Sequence, residues 1–303
     1  MTALFTIAHL ADRAVVRVSG PDWRGFLQGL LTNDVETLAT GAARFAALLT
    51  PQGRVLFDLF VVAQADGCLL DVAAEGREAL IQRLTMYRLR AKVGIEASEL
   101  RGFVALPFPL AGKGPGDGGV SAHAGQESAN LETSPLTPPS PRPLPRRGEE
   151  GFWVVDPRLS ALGYRGYGQF EVTTDQTAYN THRLALGISE TADWGSDKSY
   201  PIEADFDLLN GIDFQKGCFV GQETTSRMKR RGTIKSRMLP IVFDGTAPAH
   251  GSEILAGELR AGEVLSGMDG RAMALVRLDR IETAPLTVDS RPVRVEKPAW
   301  FQP

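Results

Sequence analysis

One stretch of this chain cannot enter a packed core, and it divides the sequence into two parts. Residues 111–151 contain seven prolines, eight glycines and no aromatic residue. Proline lacks the backbone N–H and its ring clashes inside a helix, so the stretch forms neither a helix nor a central strand. It also has few large apolar side chains to bury. We predict a disordered insertion in a surface loop, which is either a proline-rich ligand for a partner domain or, as we favour, a tolerated insertion.

The rest of the sequence has the composition of a globular protein. The chain has 303 residues, 43% hydrophobic and 23% charged, which suggests about two domains. The formal charge of −3 gives no global attraction to nucleic acid or membranes, so any basic site must be local. We divide the chain into a first unit at 1–110, the insertion at 111–151, a second part of that unit at 152–234 and a C-terminal β-barrel at 235–303. In the last segment, short β-like runs alternate with glycine turns, as in small barrels.

Hydrophobic periodicity outside the insertion predicts a mixture of helices and strands. Residues 42–49 and 55–63 read as two strands of a hairpin. Residues 176–186 read as a helix capped by Thr174 or Asp175. We also predict a strand at 169–173 and a short helical segment at 202–209. Strands that pair in hairpins, rather than alternating strictly with helices, indicate the α+β class.

The two cysteines lie in contrasting surroundings. Cys68 belongs to an apolar strand-like run and reads as a buried small hydrophobic residue. Cys218 lies between Gly217 and Gly221, just before good helix-forming sequence. A helix N-terminus and the nearby Lys216 both favour a thiolate, and the glycines let a ligand approach closely. We therefore expect Cys218 to be the reactive thiol, with a structural cysteine in a glycine turn as the alternative.

Side chains after Cys218 can hold a ligand. Gln222 and Glu223 can accept hydrogen bonds from N–H groups such as those of a pterin ring. A basic cluster without any acid follows, consisting of Arg227, Lys229, Arg230, Arg231, Lys235 and Arg237. The cluster can hold a polyanion such as the folate glutamates, a phosphate or RNA. Alternatively, it is the solvated end of a helix, where cations interact favourably with the dipole.

The segment KGCFVGQETTSR at 216–227 resembles the signature of the YgfZ-type folate-binding proteins of iron–sulfur cluster maintenance, which have mitochondrial relatives in iron–sulfur assembly. Other segments match in the same order along the chain: FLQGLLTNDV, LLTPQGRVLFD, YRLRAKVGI, DPRLSALGYR, HRLALGISE and PIEADFDLLNGIDFQKGC. The resemblance covers nearly the whole chain except the insertion and is weakest in the last 60 residues. It implies the multidomain fold of the glycine-cleavage T-protein, an aminomethyltransferase, built around a central channel that holds tetrahydrofolate.

The resemblance also implies which residues are catalytic and which bind the cofactor. The catalytic residues would be Cys218, Lys216 and Asp58. The cofactor-binding residues would be Asn33, Asp34, Arg54, Arg183, Gly217, Gly221, Gln222, Glu223 and Arg227. A reduced folate would lie in a cleft between the first α+β unit and the segment 214–231.

This sequence departs from the T-protein pattern at the folate site. The T-protein has an acidic pair for the folate chemistry, whereas here Phe57 takes the place of one acid beside Asp58. The segment 182–190 resembles the helix that bears the T-protein's folate glutamate, yet it has no acid at that place. Arg13 and Arg183 stand where one branch of the resembled family has two tryptophans linked to folate. These departures disfavour ordinary aminomethyl transfer.

Three functions follow as alternatives. The first is a tetrahydrofolate-binding accessory factor for iron–sulfur cluster assembly or repair, which supports cluster-dependent enzymes including those of tRNA modification. The second is a folate-dependent aminomethyltransferase or one-carbon transferase. The third is an RNA-binding module, which lacks interleaved aromatic residues for base stacking apart from Phe219. We favour the first, and the sequence leaves open whether any substrate is turned over.

The expected partners are folate and iron–sulfur assembly or client proteins, with neither a membrane nor direct nucleic-acid binding. No CxxC or paired histidine spacing indicates a metal site. The N-terminus lacks a cationic segment followed by an apolar core, and no apolar run is long enough to span a bilayer. We therefore expect a cytoplasmic protein.

Overall fold

The computed structural model describes residues 5–107, 151–232 and 234–302. The predicted insertion at 111–151 lies outside the described residues, except for Gly151 at its end. The helices are α1 Trp23–Gln28, α2 Arg77–Arg88, α3 Gln176–Ala185, α4 Thr191–Trp194 and α5 Gln222–Arg231. The strands are β1 Phe5–His9, β2 Arg13–Ser19, β3 Ala43–Leu49, β4 Val55–Gln64, β5 Gly67–Ala73, β6 Gly94–Ser98, β7 Arg101–Pro107, β8 Gly151–Val155, β9 Tyr164–Gly168, β10 Ser236–Val242, β11 Glu253–Ala256, β12 Leu259–Met268, β13 Arg271–Arg277, β14 Leu286–Val288 and β15 Arg291–Val295. The predicted α+β class is confirmed.

The first sheet has five antiparallel strands in the order β3-β4-β5-β2-β6. Alternate residues along its strands point to one face. On that face, Val16, Leu59 and Leu70 pack with Leu27 of α1 and Leu84 of α2 in one buried cluster. The hairpin predicted from two strands on either side of a tight turn is the pair β3–β4. This sheet and its two helices form the first structural layer.

The second sheet has four strands in the order β1-β7-β9-β8. Gly166 of β9 lies under the ring of Trp153, and a Cβ at Gly166 would stand 2.5 Å from that ring. The predicted strand at 169–173 is wrong, because β9 ends at Gly168 and Thr173 instead hydrogen-bonds Ile7 of β1. The contact of Gly166 with Trp153 joins two neighbouring strands, and the hydrophobic periodicity of a single segment does not predict such a contact.

The helical segment predicted at 202–209 is also wrong. The chain there forms consecutive turns rather than a helix. Asp205 and Asn210 have φ angles of 61° and 57°, in the left-handed region that interrupts a right-handed helix. Aspartate and asparagine tolerate this region better than most residues. The turns carry the chain from the first unit towards the barrel.

Buried ion pairs join the two sheets. Asp71 of β5 accepts hydrogen bonds from Arg13 Nε of β2 (2.6 Å) and from Arg165 Nη1 of β9 (2.6 Å). The hydroxyl of Tyr167, also on β9, donates to the same carboxylate (2.8 Å). All four side chains are buried. Asp71 therefore connects strands of both sheets through one carboxylate.

The same network extends into the segment after β8. Asp156 pairs with Arg165 (3.2 Å) and with Arg158 (2.9 Å), and Arg158 reaches Glu190 (2.7 Å). Burial opposes ionisation of both carboxyls. The adjacent guanidinium groups overcome this and hold the pKa of Asp156 and the pKa of Glu190 below their ordinary values. Both carboxylates therefore stay charged in the folded protein.

The last six strands close into a barrel in the order β10-β13-β12-β11-β14-β15. Its interior is a separate apolar cluster that includes Leu239, Ile254 and Val276. The predicted C-terminal β-barrel is confirmed. Arg237 of β10 does not belong to a surface basic cluster as predicted, because its guanidinium is fully buried and pairs with Asp205 (3.0 Å) and Asp207 (2.6 Å).

We expect the Glu190→Gln variant to be less sensitive to acid than the wild-type protein. Because folding lowers the pKa of Glu190, its charge contributes stability that is present above the unfolded value of about 4.3 and is lost as pH falls. The stability difference between wild type and variant should stay constant above about pH 5 and shrink below it, by at most about 1.4 kcal/mol per pH unit. Denaturant unfolding at graded pH measures this difference.

The control is Glu171→Gln, which changes an exposed glutamate without an ion pair in the described part of the chain. It should differ from wild type by a constant amount at every pH. A constant difference for Glu190→Gln as well would contradict the role assigned to the buried charge.

Candidate functional site

Cys218 lies on an exposed loop that leads into α5, as predicted. Gly221 is the N-cap of α5 and has a φ of 80°, in the left-handed region. A Cβ at Gly221 would stand 2.6 Å from the Thr50 carbonyl oxygen and 2.9 Å from the Gly53 Cα. Glycine is therefore required at Gly221, both for its backbone angle and for the close packing of the β3–β4 turn. A Cβ at Gly217 would meet nothing within 4 Å, so the space beside Cys218 is open.

Lys216 anchors this loop to the end of α1. Its Nζ donates hydrogen bonds to the carbonyl oxygens of Gln28 (2.6 Å), Leu31 (2.6 Å) and Asn33 (3.1 Å). The ammonium thus uses its three donors on backbone groups that follow a helix end, which otherwise lack partners. Burial lowers the pKa of Lys216 to about 8, against the opposing charge of Asp34. Lys216 holds the loop in place.

Two side chains after Cys218 fix the other end of the loop. Phe219 is buried in the cluster that contains Phe45 and Phe60. Val220 packs against the layer beneath α1 and α2. Cys218 is thus exposed between an anchored lysine and a buried phenylalanine. The arrangement presents the thiol to solvent from a fixed backbone.

The predicted ligand residues of α5 line its first turns. Glu223 is exposed in the first turn, where its charge suits the helix dipole, and Gln222 is partly buried. Arg227 is exposed one turn later. Arg54 lies over the ring of Tyr200 (5.0 Å to the centroid) and donates to the Lys198 carbonyl oxygen.

Asn33 and Asp34 form a buried turn next to the anchor of Lys216. The Asn33 side-chain amide donates to the carbonyl oxygens of Phe45 (2.8 Å) and Asn210 (2.6 Å). Asp34 accepts hydrogen bonds from Gln28 Nε2 (2.8 Å) and from residues of its own turn. Burial opposes its charge, but these bonds hold the pKa of Asp34 below its ordinary value. The structure brings Asn33 and Lys216 together, with both polar side chains engaged.

Asp58 lies away from these residues, in the buried network between the sheets. It accepts hydrogen bonds from Arg13 Nη1 (2.7 Å) and from Thr191 Oγ1 (2.6 Å). Both carboxylate oxygens are thus occupied. The structure does not join Asp58 to Cys218 in one site.

A cavity of about 540 Å³ lies where α3, α4 and β12 of the barrel meet the start of β2. Of the predicted cofactor-binding residues, Arg183 lines it; its guanidinium bonds the Ser266 hydroxyl (3.1 Å) and Asp193 (3.3 Å). The other side chains that matter for a ligand are Asp12, Arg13, Glu75, Tyr179, Glu190 and Met268. Sequence reasoning missed Asp12, Glu75, Tyr179, Glu190 and Met268. A signal for Glu190 was available, because it ends the collinear segment HRLALGISE.

The overall fold is that of an aminomethyltransferase. The crystal structure of glycine cleavage system aminomethyltransferase T from Bartonella henselae matches with a TM-score of 0.70 and 17% identity. The match covers 99% of this chain and 87% of that chain. At this identity the likeness shows the fold, and it confirms the fold predicted by resemblance. The profile of the C-terminal β-barrel domain of CAF17 matches residues 235–303.

Relatives define the family more narrowly. The mitochondrial iron–sulfur cluster assembly factor IBA57 of Mus musculus is 30% identical over 333 residues, covering 98% of this chain and 86% of the relative. IBA57 of Homo sapiens is 29% identical over 308 residues, covering 92% and 80%. This chain belongs to the IBA57 family of iron–sulfur cluster assembly factors. The class of function favoured from the sequence is confirmed at the level of this family.

The cytoplasmic location predicted from the sequence is wrong by these comparisons. The IBA57 relatives from mouse, human and the fungi Mycosarcoma maydis and Pyricularia oryzae are all mitochondrial proteins. A missing secretory signal, on which the prediction rested, does not distinguish these compartments. None of the helices in the described ranges is long and apolar enough to cross a bilayer.

We expect Lys216→Met to reduce the free energy of unfolding by about 1–3 kcal/mol, because carbonyl groups at the end of α1 lose their donor. Denaturant unfolding provides the measurement. Lys235→Met, at an exposed lysine, should change stability by less than about 0.5 kcal/mol. Equal stability of the two variants would show that Lys216 does not anchor the loop.

Proposed function

We propose that this chain is an iron–sulfur cluster assembly factor in which Cys218 transiently ligates the iron of a cluster. We also propose that it is a counterpart of the YgfZ-type folate-binding proteins. One observation carries the proposal: an exposed thiol held on a glycine-flanked loop that is anchored on both sides. The membership of the IBA57 family supports the same reading. Cluster-dependent enzymes, including those that modify tRNA, are the proposed beneficiaries.

The environment of the second cysteine supports this choice of thiol. Cys68 is buried in β5, and burial raises the pKa of its thiol well above the ordinary value. The described residues contain no group of three or more histidine, cysteine or acidic side chains that could hold a metal ion. One thiolate cannot hold a cluster that usually takes four. We infer that Cys218 ligates iron transiently and that a client or assembly protein supplies the remaining ligands.

The cavity between α3, α4, β12 and the start of β2, here named the central cavity, suits a reduced folate. A volume of about 540 Å³ falls in the range of small-molecule sites. Asp12, Glu75 and Glu190 can accept hydrogen bonds from pterin N–H groups, and Met268 and Leu184 offer apolar surface to the ring. A bound tetrahydrofolate would supply a reduced pterin whose nitrogen atoms carry one-carbon units. Folate contact by Gln222, Glu223 and Arg227, which do not line this cavity, stays a prediction.

The geometry gives less support to the alternatives. An aminomethyltransferase needs a group free to take or give a proton, whereas Asp58 is held by Arg13 and Thr191. An RNA-binding module would use the basic cluster after Cys218, but Arg237 is buried and Lys229 pairs with Asp207 (3.2 Å). Both observations favour an assembly factor that binds folate without ordinary aminomethyl transfer.

We expect Cys218→Ala to fail to restore iron–sulfur enzyme activity in cells that lack the native protein. The reason is that no other thiol in the described part of the chain is exposed. Cys68→Ala, which removes a buried thiol, is the matched control and should restore activity. Aconitase activity in extracts, normalised to protein abundance, provides the readout. Full restoration by Cys218→Ala would show that the thiol is not the working group.

We expect the protein to bind tetrahydrofolate in the central cavity, as detected by calorimetry. Met268→Trp should fill part of the cavity and weaken binding by at least about tenfold, or 1.4 kcal/mol. Leu259→Trp, at an exposed position of the barrel outside the cavity, should leave the affinity unchanged. If the wild-type protein does not bind tetrahydrofolate, the folate proposal is contradicted. If wild type, Met268→Trp and Leu259→Trp bind with equal affinity, folate binds outside the central cavity.

A further inference from the structure

The end of α2 exposes two large apolar side chains to solvent. Met86 is 71% exposed and Leu89, the residue after the helix, is 89% exposed. Leu89 also has a φ of 45° and a ψ of −106°, a backbone conformation that residues with a Cβ rarely adopt. Glycine would relieve this strain and remove the apolar surface. The sequence instead holds a leucine in solvent at a conformational cost, which points to a use for the side chain.

Four cations lie within three residues of Met86 or Leu89 along the chain: Arg83, Arg88, Arg90 and Lys92. No acidic residue occurs between positions 79 and 95, although the whole chain carries a net charge of −3. None of the four forms an ion pair with a residue in the described ranges, whereas other arginines on the surface, such as Arg277 and Arg294, do. We call Met86, Leu89 and the four cations the α2 patch.

The α2 patch lies on the same side of the first sheet as the thiol loop. Tyr87 of α2 and Val220 of the loop both pack against the buried cluster on that face. Helix α2 contacts β2 and β6, whereas the loop packs on the β3–β4 turn. With the strand order β3-β4-β5-β2-β6, about three strand spacings, or roughly 15 Å, separate α2 from the loop across the sheet. The patch lies about 18 Å along α2 from Gly76, which packs on Phe57 near the β3–β4 turn, so the two features are roughly 25 Å apart.

We propose that the α2 patch docks an acidic partner protein and places it over Cys218. A partner that buries about 800 Å² of this surface covers a patch roughly 30 Å across, which is enough to include both features. The apolar pair forms the desolvated centre of the contact, and the surrounding cations select an acidic partner and steer its approach. That the partner exchanges iron at Cys218 rests on the proposed function; the docking itself does not.

A photo-reactive benzoylphenylalanine at position 89 of the full-length protein tests the docking in cells. The matched control carries the same group at position 259, where a leucine is 59% exposed on the barrel. We expect position 89, and not position 259, to cross-link to one protein through an acidic segment. Identical adducts at both positions, or none at position 89, would overturn the proposal.

The cross-linked protein is then purified and titrated against variants by calorimetry. Leu89→Asp and Arg90→Glu should each weaken binding at least about tenfold, and added salt should weaken wild-type binding further. Arg294→Glu, at an exposed arginine of the barrel, is the control and should bind as wild type does. Unchanged affinity of Leu89→Asp would overturn the proposal. Leu89→Gly should keep the wild-type Tm or raise it while binding weakly, which separates docking from folding.

Two probes test other occupants of the same surface. Vesicles of phosphatidylglycerol and phosphatidylcholine stand for an anionic membrane, and poly(U) stands for RNA. Binding to either that Leu89→Asp abolishes would overturn the docking of a protein. The Cys218→Ala protein should dock normally. If no partner docks on the α2 patch while cells still require Cys218, only this inference is contradicted. If a partner docks on the patch while Cys218→Ala restores activity in cells, only the proposed function is contradicted.

Discussion

The carboxylate of Asp71 is the interaction on which the two sheets depend. It is completely buried and accepts hydrogen bonds from Arg13 of the first sheet and from Arg165 and Tyr167 of the second. Removing one partner from such a pair leaves an uncompensated buried charge, which costs about 3–5 kcal/mol. The guanidinium carbons of Arg165 and Arg13 also lie over the ring of Phe60, at 3.4 and 5.3 Å from its centroid. The two sheets are thus held by this charge network beside an apolar cluster in which Val62 and Leu69 pack with Val154.

The same network forms one wall of the central cavity. Arg13 and Glu190 belong to both, and their partners hold them in fixed positions. A ligand in the cavity therefore meets charges that need little reorganisation, which suits recognition of a polar heterocycle. Asp58 is engaged in the ion pair with Arg13 and does not line the cavity. The network that joins the sheets thus keeps Asp58 away from the cavity where we propose that a ligand binds.

Local features of the fold and the site were predictable, and long-range ones were not. The β3–β4 hairpin, the barrel and the glycine-flanked loop before α5 each rest on signals within a few residues, and the structure contains all three. The pairs that assemble the network are far apart in sequence: Arg13 and Asp71 are separated by 58 residues, and Arg165 and Asp71 by 94. The hydrophobic periodicity of a local segment does not predict an ion pair between residues so far apart in the sequence. Arg237 shows the same limit, because its neighbours in sequence suggested a solvated cluster while its partners come from a distant turn.

The two cysteines show how the fold separates a structural thiol from an available one. Cys68 fills space in the cluster under α1 and α2, where burial disfavours its thiolate. Cys218 lies between two anchors, the three carbonyl contacts of Lys216 and the buried ring of Phe219, which hold the backbone on both sides of the exposed thiol. Enzymes that carry reactive intermediates exclude water from the reacting group, which requires the opposite placement. A thiol that must reach the iron of another protein has to stand on the surface, and a fixed backbone lowers the entropy lost when the two proteins meet. The exposure of Cys218 therefore agrees with the role proposed for it in an assembly factor.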